Sequence, residues 1–266
     1  MNKFNLAYSK IEQKIKSNKR LFKSVKIIAL LGSVPCGEKS NQWSDLDVLV
    51  VINSTPSGNI PFGHLQTLKN ITKEVSSNYS FPISIFPHTI DDFKKYVCFE
   101  YLIHYSSGYC TYPNSKALKN IIKQILKSRN VSEKIRKGYC IYHLRHIRFN
   151  LLRKYISLNE YNSKDCNTKF LKLLIDKMIK VTDLALNYSD IWPRNKREIL
   201  EKAKKNLTFD VSILNDALKM RTNWASITDK DAKKFISRGI LYLYNIFDLF
   251  LGNNIKPTPE ENMSLL

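Results

Sequence analysis

The chain reads VKIIALLGS at residues 25–33 and SDLDVLVVI at residues 44–52. The first seven residues of the first stretch and the last seven of the second are almost all apolar and rich in β-branched side chains. Such runs are typical of buried strands. The first run stops at Gly32, and a cluster of turn-forming residues at 53–58 follows the second. The sequence therefore predicts two strands at the centre of the fold.

The patterns around these strands extend them into an α/β module. Apolar residues at helical spacing predict helices over 6–19 and 62–76. The short run PISIF at 82–86 predicts a third strand. Because helices separate the strands, we expect an α/β domain with a small mixed sheet at residues 1–112.

The pattern changes after Pro113. Strand-like runs disappear and apolar residues recur with a helical period. Six helices are predicted, at 115–128, 132–157, 166–187, 194–205, 209–220 and 229–251. We therefore expect an all-helical bundle at 113–252, a loosely ordered tail at 253–266, and an α+β fold class for the whole chain.

Two carboxylates lie at the start of the second strand, at Asp45 and Asp47. Because side chains alternate along a strand, both face the same side, about 6–7 Å apart. The Gly32–Ser33 pair ends the first strand, where backbone N–H groups and a hydroxyl can meet phosphate oxygens. Paired carboxylates beside a phosphate cradle suit Mg²⁺, and a pair of ions can clamp the attacking and leaving oxygens.

This arrangement resembles the nucleotidyltransferase superfamily with the DNA-polymerase-β-like catalytic core. That family's signature is a hydrophobic strand, Gly-Ser, a loop, then Ser-Asp-hydrophobic-Asp and a second strand. Here it is matched by Gly32, Ser33, Ser44, Asp45 and Asp47, with ten residues between the two serines. The resemblance covers residues 25–112. A small α/β head followed by helices also resembles antibiotic nucleotidyltransferases and the minimal antitoxins that pair with a helical toxin-type partner.

The resemblance implies roles for these positions. Ser33 would contact the β- and γ-phosphates of ATP or another nucleoside triphosphate, with Gly32 and Ser44 in the same nucleotide site. Asp45 and Asp47 would be the catalytic carboxylates and would hold two Mg²⁺ ions. The implied enzyme moves a nucleoside monophosphate onto an acceptor hydroxyl and releases pyrophosphate.

The sequence departs from the family pattern at one position. The family usually adds a third carboxylate on the next core strand, and Ser84 aligns there. A hydroxyl replaces a carboxylate neither as a base nor as a strong Mg²⁺ ligand. Four other acidic residues could supply the missing charge, namely Glu74, Asp91, Asp92 and Glu100. The alternative is a catalytically weak binding protein of antitoxin-like or regulatory type.

The charge of the chain bears on the acceptor. Lys and Arg number 43 against 23 Asp and Glu, for a net charge of +20. In residues 113–266 the corresponding numbers are 30 and 15, an excess of 15 positive charges. Such a surface suits an anionic acceptor such as tRNA or another RNA better than a polycationic antibiotic. Coding bias toward lysine is an alternative explanation, and a neutral small-molecule acceptor stays open.

The predicted helix 132–157 carries much of this charge. Arg136, Arg145, Arg148 and Arg153 are candidate contacts to acceptor phosphates. Arg136 and His143 also resemble, weakly, the Arg-x4-6-His motif of helical ribonuclease partners. A solvated helix face is an equally good interpretation of this segment.

Other features exclude whole classes of protein. No apolar run is long enough to span a bilayer, and no secretory signal is evident at the N-terminus, so we expect a cytoplasmic protein without a membrane partner. The five cysteines are odd in number and widely spaced, at 36, 98, 110, 140 and 166. This spacing favours reduced, mostly buried thiols over a disulfide framework or a zinc site.

Overall fold

The computed structural model describes residues 2–35, 44–95, 99–106, 108–129, 132–157 and 166–252. It contains one mixed four-stranded sheet and many helices, which confirms the α+β class. The chain divides into two compact units between Asn130 and Val131.

The first unit contains the sheet. Its strands are β1 (Val25–Leu31), β2 (Leu46–Ile52), β3 (Ile83–Thr89) and β4 (Tyr109–Tyr112). Its helices are α1 (Lys3–Ser17), α2 (Lys19–Phe22), α3 (Phe62–Ser76), α4 (Ile90–Lys95), α5 (Phe99–Ser106) and α6 (Ala117–Arg129). The strand order is β3-β2-β1-β4, in which β2 and β3 are parallel and β1 is antiparallel to both of its neighbours.

Both faces of the sheet are buried, which explains why β2 is apolar from Val48 to Ile52. Val48 and Val50 pack with side chains of α1 and α3 on one face. Leu49 and Val51 pack with side chains of α4, α5 and α6 on the other. Because side chains alternate, Asp47 has the same orientation as Leu49 and Val51.

The position of α6 corrects the predicted domain boundary at 112. Leu118, Ile122 and Ile125 of this helix are buried against β1 and β2 in the core of the first unit. The first unit therefore extends through α6 to Asn130. The sequence patterns also missed α2, α4, α5 and β4.

The second unit is helical in its described residues. Its helices are α7 (Glu133–Ile156), α8 (Cys166–Tyr188), α9 (Lys196–Asn206), α10 (Ser212–Thr222) and α11 (Asp229–Leu251). Helix α8 contacts each of the other four. A capping box between Thr228 and Asp231 fixes the start of α11 where the sequence predicted it. The predicted tail at 253–266 lies outside the described residues.

Two further expectations concern thiols and membranes. Cys110 and Cys140 are buried and free, and burial raises the pKa of the Cys140 thiol to about 12. The other three cysteine side chains lie outside the described part. Within the described ranges, none of the helices combines the length and the apolar character needed to cross a membrane.

Candidate functional site

The two predicted metal-binding carboxylates lie at one end of the central strand pair. Asp47 pairs with Leu31 of β1 on one side and with Ser84 of β3 on the other. Asp45 precedes it by two residues and is exposed to solvent. Both therefore lie at the edge of the sheet that is formed by strand ends, where β1 ends and where β2 and β3 begin.

The turn after β1 is built around Gly32. Its φ is +73°, a backbone conformation that residues other than glycine rarely adopt. A Cβ atom at this position would lie 3.0 Å from Oδ2 of Asp47. Glycine is thus required twice, by the backbone conformation and by the close approach of a carboxylate. The resemblance implied an approach to phosphate, whereas the neighbour that the structure shows is Asp47 itself.

The two serines of the signature contact each other. The Ser33 hydroxyl donates a hydrogen bond to the Ser44 Oγ at 3.0 Å, and both residues are buried. This bond ties the turn after β1 to the residue that precedes Asp45. The structure therefore brings together five predicted site residues: Gly32, Ser33, Ser44, Asp45 and Asp47.

The position of the expected third carboxylate is occupied by Ser84, directly beside Asp47 on the parallel strand β3. Asp91 and Asp92 follow the opposite end of that strand. Thr89, which immediately precedes α4, lies five residues beyond Ser84, about 16 Å along the sheet. Neither aspartate can therefore complete the cluster around Asp47.

The local contacts of these acidic residues agree with that placement. Asp91 accepts a hydrogen bond from the Ser54 hydroxyl at 2.9 Å, and Asp92 accepts one from the backbone N–H of Thr89. Glu74 of α3 forms an ion pair with Lys14 of α1, on the other side of the sheet. The Glu100 side chain lies outside the described part. Among the described side chains, no group of three His, Cys, Asp or Glu residues is placed to hold a metal ion.

Sequence reasoning missed one aromatic residue near the site. Phe86 lies two residues after Ser84 and faces the same side of the sheet as Asp47. Its side chain is 37% exposed. Two residues further on, the His88 ring packs against Phe93 of α4, and burial lowers its pKa. Strand alternation from Ser84 would have placed Phe86 on the same face as Asp47, whereas its exposure follows only from the structure.

Arg136 does not lie on an open surface, which corrects its prediction as a phosphate contact. Its Nη1 donates hydrogen bonds of 2.6 Å to the backbone oxygens of Asn187 and Tyr188, at the end of α8. Its Nε also lies 3.4 Å from a carboxylate oxygen of Asp190. A cation at this end of a helix is favourable, so Arg136 stabilises the pairing of α7 with α8.

The remaining basic residues of α7 are placed differently. Arg148 and Arg153 are exposed, and Arg145 is half-buried. His143 packs against the Tyr139 ring, with a centroid distance of 4.2 Å, and burial lowers its pKa. It lies about 10 Å along the helix from Arg136. The weak likeness to a ribonuclease motif therefore gains no support.

No family model matches the chain, and neither does any curated protein sequence. What the site can do must therefore be inferred from its own chemistry. That chemistry is two carboxylates, two hydroxyls and a glycine turn, gathered at one edge of a sheet.

Proposed function

We propose that the chain is a Mg²⁺-dependent nucleotidyltransferase that moves a nucleoside monophosphate from a nucleoside triphosphate to an acceptor hydroxyl. The observation that supports this most strongly is the meeting of the Gly32–Ser33 turn with Asp47. The two segments are separated by a ten-residue loop and yet lie side by side. A Cβ atom at Gly32, if one were present, would be 3.0 Å from Oδ2 of Asp47. This proximity is what a shared phosphate and metal site requires.

The donor set suits one Mg²⁺ ion bound together with the substrate. Mg²⁺ is commonly held by one or two carboxylates plus substrate phosphate oxygens, and Asp45 and Asp47 supply the two carboxylates. When bound, Mg²⁺ neutralises charge on the phosphates. A second ion, which the resemblance implied, needs another ligand that Ser84 does not supply.

The protein residues then bind and orient the triphosphate. The Ser33 hydroxyl would exchange its bond to Ser44 for one to a phosphate oxygen, and backbone N–H groups of the turn can donate to the same anion. Phe86 offers a flat face to the base. The acceptor oxygen forms a bond to the α-phosphorus, the bond to the bridging oxygen breaks, pyrophosphate leaves, and water takes the hydroxyl proton. Positioning supplies most of the rate enhancement.

The positive charge of the helical half favours an anionic acceptor, with RNA or tRNA first and an antibiotic or other small molecule as the alternative. An excess of 15 positive charges in residues 113–266 would repel a polycation.

Ser84 favours a second candidate function. Without a third carboxylate beside Asp47, the site lacks a base on β3. The chain would then be a nucleotide-binding protein with little catalytic activity, antitoxin-like or regulatory, with a helical toxin-type protein as its partner.

A transfer assay separates the two functions. Triphosphates labelled at the α-phosphate are incubated with the protein, Mg²⁺ and total RNA, proteins or antibiotics. The enzyme transfers label, and Asp47→Asn abolishes the transfer. Asp91→Asn is the matched control, because this carboxylate lies at the opposite end of the sheet. Triphosphate binding without transfer to any acceptor would favour the binding protein.

A further inference from the structure

The solvent side of α7 carries an unusually exposed aromatic residue. The helix buries Cys140, Ile141, Leu144, Ile147 and Leu151 on its inner side. On the opposite side, the Phe149 side chain is 68% exposed. One exposed apolar residue is ordinary by itself, so its meaning depends on its neighbours.

Those neighbours are arginines. Arg145, Phe149 and Arg153 are four residues apart, so they follow one another on the same side of the helix at steps of about 6 Å. Arg148 is exposed beside them. No Asp or Glu occurs anywhere from residue 134 to 157. Neither Arg148 nor Arg153 has an ion-pair partner among the residues that the structure covers.

Coding bias does not explain this cluster. The chain contains 33 Lys but only 10 Arg, and three of those arginines fall in residues 145–153, where there is no lysine. Arginine presents a planar fork that binds phosphate at two oxygens and that stacks on bases. The choice of arginine therefore favours nucleic acid over a partner that needs only positive charge.

We propose that this side of α7 binds single-stranded nucleic acid, with a base stacked on Phe149 and backbone phosphates at Arg145, Arg148 and Arg153. Exposed aromatic rings interleaved with cations are the usual means of holding single strands. In a duplex the base faces are already stacked and do not reach a side chain on a helix surface. The residues of this surface belong to the second unit and those of the candidate transferase site to the first. Nucleic-acid binding is therefore tested without triphosphate and can fail independently of the proposed activity.

The test is fluorescence anisotropy with labelled oligouridylate, its duplex with oligoadenylate, and the DNA single strand. Phe149→Ala should weaken single-strand binding about 5- to 150-fold, and Phe149→Tyr should retain it. Leu241→Ala is the matched control, since Leu241 of α11 is 62% exposed and lies on another helix. Arg148→Glu with Arg153→Glu should reduce the slope of log affinity against log salt by about 1.4.

Three outcomes would overturn the proposal. Tighter binding of the duplex than of the single strand would indicate recognition of helix shape and not stacking of a base on Phe149. Equal effects of Phe149→Ala and Leu241→Ala on affinity would show that the Phe149 ring takes no specific part in binding. Displacement of oligouridylate by polyglutamate at equal charge concentration would favour an acidic protein partner. Circular dichroism of each variant verifies that an affinity change does not come from unfolding.

Discussion

Replacing Gly32 by alanine perturbs the candidate site at the point where backbone and carboxylate meet. With φ at +73°, an alanine at this position costs about 1–2 kcal/mol of stability through its backbone conformation. Its Cβ would also lie 3.0 Å from Asp47 Oδ2, which is too close, so the carboxylate must move. The carboxylate must give way by a few tenths of an ångström, so transfer should fall by less than the roughly 100-fold that displacement of a catalytic group by about 1 Å causes.

Gly58 provides a matched control. Its φ is +85°, but a Cβ there meets nothing within 4 Å. Gly58→Ala therefore has a similar backbone cost without the contact to a carboxylate. In urea unfolding, Gly32→Ala should lower the free energy of unfolding more than Gly58→Ala does. Only Gly32→Ala should impair Mg²⁺-dependent transfer. Removing the contact with Asp47→Ala should reduce the extra stability loss in a double-mutant cycle. Equal losses of stability with unchanged transfer would refute this account of the turn.

Three further predictions concern other parts of the molecule. Ser33→Ala should weaken triphosphate affinity by about 1.5–3 kcal/mol, as for loss of a hydrogen bond to a charged group, while unfolding in urea changes by about 1 kcal/mol; unchanged calorimetric affinity would exclude Ser33 from the site. Arg136→Ala should destabilise the protein by about 1.5–3 kcal/mol in urea, because the backbone oxygens at the end of α8 lose a charged donor, whereas exposed Arg148→Ala should have almost no effect. Burial lowers the pKa values of His64, His88 and His143, so the unfolded chain takes up protons first as pH falls. Unfolding midpoints should therefore decrease below about pH 6.5, less steeply in His143→Gln than in the wild type, and an equally steep decrease in that variant would contradict the burial of His143.

The sequence predicted the elements that are long and periodic. Strands β1 and β2 and the helices from α7 to α11 follow from apolar runs and helical spacing, because burial on two faces or on one side leaves a clear pattern. Strand β4 could not be predicted, since YCTY is short and its pairing with β1 is a tertiary contact. Helix α6 was predicted as a helix at 115–128, but it was assigned to the helical half, because its apolar side is compatible with either unit until its packing on the sheet is known.

The candidate site was predictable only in part. Strand alternation places Asp45 and Asp47 on one face, and the Gly-Ser motif places a turn after β1. The contact between Gly32 and Asp47 depends on the register of β1 against β2, which a ten-residue loop leaves undetermined. Arg136 is a similar case, because its spacing fits a basic helix surface, and only the position of the α8 terminus assigns it a structural role.

The most direct test of the central claim is calorimetric titration of the protein with each of the four nucleoside triphosphates, with Mg²⁺ and with a chelator. If Asp45 and Asp47 bind a metal–triphosphate complex, at least one triphosphate binds in Mg²⁺. That binding should be lost in the chelator and in the double variant Asp45→Asn, Asp47→Asn, whose fold is verified by circular dichroism. Equal binding with and without Mg²⁺, or binding that survives in the double variant, would contradict the assignment of this edge of the sheet as the metal and nucleotide site.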